Sequence, residues 1–145
     1  MVKQNSTADE ELSETPRFSG PLRDCPESPN CVCTQATRAA QLMPAIPLSR
    51  AASAAITTIA ADVVNWPRAA IVSHKANYLH LTVRTLLFRF VDDVEFFADD
   101  ETRLLQFRSA SRLGYSDLGV NRRRMEKLSI RIARLFDNPA TTRNS

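Results

Sequence analysis

Between residues 69 and 108 apolar and polar side chains alternate, and no other feature restricts the fold as much. Leu79, Leu81 and Val83 alternate with His80, Thr82 and Arg84, the pattern of a strand with one buried face and one wet face. Ile71 marks an earlier strand starting near Ala69, with Asn77 in the turn between the two. A third strand is expected over residues 88–98. It would place Phe88, Phe90, Asp92, Val94 and Phe96 on one face and Arg89, Val91, Asp93, Glu95 and Phe97 on the other. Acidic residues on both faces predict a bend or bulge near Asp92. The run Asp99-Asp100-Glu101-Thr102 predicts a hairpin turn, after which Leu105 and Phe107 open a fourth strand with Gln106 and Arg108 opposite.

A sheet with one apolar face needs a cover, and two segments have helical periodicity. Residues 49–65 are rich in Ala, with Ile56, Ile59 and Val63 at helical spacing, Ser49 as N-cap and Pro67 as a barrier. After Gly114 and Gly119, Leu118, Met125, Leu128, Ile132 and Leu135 recur at helical steps, and Asp117 is placed to cap the helix. The expected order is α-β-β-β-β-α, an α+β, two-layer domain whose four-stranded curved antiparallel sheet is flanked by two helices. At 145 residues the chain is long enough for one core. The expected division is a disordered acidic tail over residues 1–21, a single domain over 22–136 and a frayed tail over 137–145. No run of about 18 apolar residues crosses a bilayer. The N-terminal stretch lacks the apolar core of a signal peptide, so the expectation is a cytoplasmic protein.

Three cysteines, Cys25, Cys31 and Cys33, surround a Pro-rich stretch. A zinc site would need His74 or His80, and the spacing is not that of a zinc knuckle. A disulfide between Cys25 and Cys31 is geometrically open, because two prolines and an Asn turn the chain. A reducing cytosol favours free thiols. Nothing local lowers a thiol pKa for nucleophilic chemistry.

The net charge of +3 conceals a segregation. Residues 92–102 hold six acids and no base, and residues 103–134 hold nine bases and two acids. Hairpin acids such as Asp99, Asp100 and Glu101, and helix arginines such as Arg131 and Arg134, read as solvated. Asp92, Asp93, Glu95, Arg108 and Arg112 lie within strands beside aromatic residues, where charges need partners. Asp92 or Glu95 on one strand can meet Arg108 and Arg112 on its neighbour, either as a structural ion-pair network or as an Arg-lined polar site. Ser109, Ser111, Tyr115 and Ser116 add hydroxyls just before a helix N-terminus. Asn121, Arg122 and Arg123 follow in its first turn, which suits an anion, although Asp117 competes for the same N–H groups.

Enzyme templates match poorly. There is no Gly-x-Ser-x-Gly elbow, P-loop, Gly-x-Gly-x-x-Gly or His-Glu-x-x-His. Asp92 and Asp93 point to opposite faces of a regular strand, which separates them as an acid/base pair. Arg122-Arg123-Arg124 raises nucleic acid as a partner, but neighbouring acids repel phosphates and no aromatic ladder interleaves the bases.

Three blocks carry a family resemblance: Cys25-Pro26-Glu27-Ser28-Pro29-Asn30-Cys31-Val32, Phe88-Arg89-Phe90-Val91-Asp92-Asp93-Val94-Glu95-Phe96, and the stretch from Arg108-Ser109-Ala110-Ser111-Arg112 to Asn121-Arg122-Arg123-Arg124. In this order, over about residues 24–136, the chain resembles the family called domain of unknown function 1499. The resemblance implies no activity, cofactor or catalytic residue. It implies that the acidic and basic blocks belong to one shared feature, and that Cys25 and Cys31 form the shared pair while Cys33 stands apart. Relatives are often exported or membrane-associated, and this chain departs by lacking a visible leader.

The leading expectation is a non-enzymatic domain that binds an anionic small molecule or protein partner through Arg108, Arg112, Arg122 and Arg123, oriented by Asp92, Asp93, Glu95, Ser109, Ser111, Tyr115 and Asn121. No metal or cofactor is assigned. An enzyme, hydrolytic or redox, using Asp93 or Cys31 is the alternative, and a pure protein-interaction scaffold the third reading. Nothing in the sequence sets the oligomeric state.

Overall fold

A computed structural model describes residues 22–114 and 117–138. The expected tails, apart from Asp137 and Asn138, and Tyr115 with Ser116 lie outside the described residues. The strands are β1 (Cys31–Cys33), β2 (Ile46–Pro47), β3 (Ala69–His74), β4 (Tyr78–Arg84), β5 (Val91–Asp99) and β6 (Leu104–Ser111). Among the described residues two α-helices complete the fold, α1 (Ala52–Asp62), extended by a 3-10 turn at Val63–Asn65, and α2 (Val120–Asp137). The sheet runs β1-β6-β5-β4-β3, with β2 pairing the other end of β6. All of these pairings are antiparallel. The α-β-β-β-β-α order holds for the main elements, but the four expected strands become six. The additions are too short to show alternation, and only their pairing to the edge of β6 makes them strands.

The third strand starts at Val91, not Phe88, and pairs without a bulge through Asp92 on both sides. The break falls earlier, at Arg89, whose φ is 56°. The irregularity in the sheet lies in β3, between Ile71 and Ser73. A regular β5 tolerates acids on both faces because each face supplies cations, as described below.

Val94, Phe96, Leu79, Leu81, Leu105 and Phe107 form one side of the core, with Ile56 and Ile59 of α1 and Met125 and Ile132 of α2 on the other. Each such side chain contributes roughly 1.5–3 kcal/mol by leaving water. Phe136 completes the α2 stripe, whereas Leu118 precedes the helix and is exposed.

Ser49 does not cap α1. Its hydroxyl donates to the Phe136 carbonyl, and the Ala52 N–H donates instead to the carboxylate of Asp100, 2.8 Å away. The β5–β6 turn therefore caps a helix distant in sequence, a role that a solvated reading of Asp100 misses. Arg131 is not merely solvated either. Its guanidinium pairs with Asp62, which also accepts the Trp66 indole N–H and sits at a pKa of about 2, chiefly through the Arg131 hydrogen bonds. The turn at Asn77 and the hairpin at Asp99 form as expected. In the latter, the Asp99 carboxylate accepts the Glu101 N–H and the Thr102 hydroxyl.

Cys25 and Cys31 are joined by a disulfide, which corrects the preference for free thiols. The closed loop packs with Cys33 and Ala110 in a small cluster. Cys33 is free and buried, and burial pushes its thiol pKa up. Among the described residues no helix is long and apolar enough to cross a membrane.

Candidate functional site

The expected single site divides between the two faces of the sheet, because adjacent residues on a regular strand point in opposite directions. On the face away from the helices, Asp93 receives both arms of Arg112, at 2.8 and 3.0 Å, and lies 2.7 Å from His80 Nε2. The Arg112 hydrogen bonds hold the Asp93 carboxyl below the usual range. Two positions along, Glu95 accepts the Tyr78 hydroxyl at 2.5 Å and a guanidinium N–H of Arg108 at 3.4 Å. Burial and the Glu95 carboxylate push the Tyr78 hydroxyl pKa strongly upward. Arg108 is thus engaged by Glu95, directly opposite it on β5, and Arg112, just past the end of β6, by Asp93.

The other face carries a buried polar network. Asp92 is fully buried, and one of its oxygens accepts Arg124 Nη2 at 2.6 Å. The Arg124 guanidinium also donates to Asn121 Oδ1 at 2.9 Å and to the Ser109 hydroxyl at 3.3 Å. Ser109 in turn donates to Asn121 Oδ1 at 2.6 Å. The Asn121 amide nitrogen donates to the Asn30 carbonyl, to the Ser111 hydroxyl and to Asp117. Asp117 also accepts the backbone N–H groups of Gly119 and Asn121, so it occupies the donors at the helix N-terminus. Gly119 sits at φ 79°, and a β-carbon there would stand 2.9 Å from the Arg123 guanidinium. The three blocks that carry the resemblance meet here through Asn30, Asp92 and Asn121.

Arg122 and Arg123 are also on the helix side, donating to the Ala40 and Leu118 carbonyls. Tyr115 lies outside the described residues. Cys31, bound to Cys25, has no thiol to act as a nucleophile, and Asp93 is committed to Arg112 and His80.

Sequence reasoning missed the cavity beside the buried network. It measures about 670 Å³, within the size range of small-molecule sites. Trp66, Val83 and Leu128 line its interior side, and the β4–β5 loop, with Leu113 and Leu118, its mouth. Asp92, Arg123, Arg124 and Lys127 stand along its polar side. The lining holds five cations, Arg68, Arg84, Arg123, Arg124 and Lys127, against two acids, Asp92 and Asp117. Among the described residues no donor reaches the second Asp92 oxygen, Oδ1. The signal for this cavity was the run Leu86-Leu87-Phe88, which interrupts the alternation and cannot be absorbed into a half-buried strand.

A family model described as a protein of unknown function (DUF1499) matches residues 21–132. No curated protein and no solved structure matches the chain.

Proposed function

The chain belongs to the DUF1499 family of proteins of unknown function, and from its cavity we propose that the domain binds a small amphipathic molecule with an apolar body and an anionic end. The observation that carries this reading is the cavity's composition: apolar walls, with cations outnumbering acids along one side. An apolar body gains by leaving water against Trp66, Val83 and Leu128. The anionic end is met by Arg123 and Lys127, while Arg124 stays paired with Asp92. The binding reading of the sequence is kept with Arg123, which belonged to the expected set; Lys127 joins it, while Arg108 and Arg112 are engaged on the opposite face. The disulfide supports an oxidising compartment rather than the cytoplasm.

Trp66 is the only tryptophan and lines the cavity, so its emission reports occupancy. Titration with dodecanoate should give a saturable change, with dodecanol binding more weakly and Arg123→Ala/Lys127→Ala weakening dodecanoate by about tenfold. Equal binding of dodecanol and dodecanoate would reject the anionic end, and the absence of saturation would reject the site.

A further inference from the structure

The β4–β5 loop places its largest apolar side chains in water. Leu86, Leu87 and Phe88 are 76%, 81% and 70% exposed. The loop is nonetheless built: the Thr85 N–H donates to the Phe90 carbonyl and the Phe90 N–H to the Thr85 hydroxyl, both at 2.9 Å, and the Phe88 and Phe90 rings stack at 5.5 Å. Across the cavity mouth, Leu113 and Leu118 are also exposed, at the same entrance. A contiguous apolar rim held out by hydrogen bonds marks an interaction surface.

Charge identifies what covers it. Arg68, Arg84 and Arg89 on one side of the rim, and Arg123 and Lys127 on the other, are exposed cations. A two-fold dimer through this patch would bring like charges together, which opposes a second copy as occupant. An anionic lipid surface complements both features at once, receiving the apolar tip among its acyl chains and the arginines at its headgroups. We infer that the β4–β5 loop and the facing rim dock the domain on an anionic bilayer, with the cavity mouth against the lipid. The docking surface is independent of the cavity's contents; that the ligand is itself drawn from the bilayer rests on the function proposed above.

The test is co-sedimentation of the full chain with vesicles of phosphatidylcholine alone or of equimolar phosphatidylcholine and phosphatidylglycerol. The expected result is binding to the anionic vesicles, with neutral vesicles weaker, and a fall of at least about tenfold in Leu87→Glu. Arg89→Glu, outside the cavity lining, should weaken vesicle binding while leaving dodecanoate binding by Trp66 emission unchanged. No sedimentation with anionic vesicles, equal sedimentation with neutral ones, or an unaffected Leu87→Glu would overturn the inference. A doubled mass by light scattering that Leu87→Glu restores to a single copy would overturn it in favour of a dimer. In the unsubstituted chain, dodecanoate binding without vesicle binding rejects the docking alone, and vesicle binding without dodecanoate binding rejects the proposed ligand alone.

Discussion

Asp92 and Asp93 are neighbours in sequence, and both pair with arginines, yet they occupy different physical worlds. Asp92 faces the helices, is fully buried and is met by Arg124 within a network running through Ser109 and Asn121. Asp93 faces away from the helices and is met by Arg112, which is half exposed, and by His80. An ion pair that water reaches is screened and easily replaced, whereas a buried charge has no substitute for its partner. Of these two neighbours only Asp92 makes its pairing indispensable, although the Asp93 face holds a buried pair of its own in Glu95 and Arg108.

The sharpest way to break this comparison is to remove each arginine in turn. Arg124→Met leaves the Asp92 carboxylate buried without its cation and should cost about 3–5 kcal/mol in urea unfolding. Adding Asp92→Leu should restore much of that loss, because the uncompensated charge is gone. Asn121→Ala deprives Asp117, Ser111 and the Asn30 carbonyl of a donor in one step. A loss of about 2 kcal/mol is expected by the same measurement. Arg112→Ala should leave the urea midpoint nearly in place at neutral pH. A drop comparable with that of Arg124→Met would erase the distinction between Asp92 and Asp93.

The acid response should show a smaller effect than the loss of Arg124 or Asn121. Hydrogen bonds from Arg112 lower the Asp93 pKa, and those from Arg131 lower that of Asp62 to about 2. A carboxyl depressed in the folded state takes up protons more readily when unfolded, so its contribution is complete above the ordinary value of 3.8 and fades as pH falls towards about 2. Asp62→Asn should remove roughly 1 kcal/mol at neutral pH and flatten the fall in stability between those values. An unaltered acid profile would mean that the Arg131 pair contributes nothing.

The alternation from Leu79 to Val83 and the stripe through Met125, Leu128 and Ile132 were legible because burial on one face imposes a period on sequence. They determined the antiparallel sheet, the covering helices and the fact that charges within strands needed partners. Cross-strand neighbourhood left Asp92 or Glu95 as partners for Arg108 and Arg112, and the register chose Glu95 for Arg108. What no local pattern carries is contact between distant segments. Asp100 capping α1, Asn30 reaching Asn121 and the short β1 and β2 along β6 depend on chain closure over many residues. The cavity belongs to the same class, since its walls come from the β4–β5 loop, α2 and the turn at Leu113, and only packing leaves a space between them. Periodicity and the charges within strands were therefore set by sequence. The face on which each charge found its partner, and the opening beside Asp92, were decided by how the helices settled on the sheet.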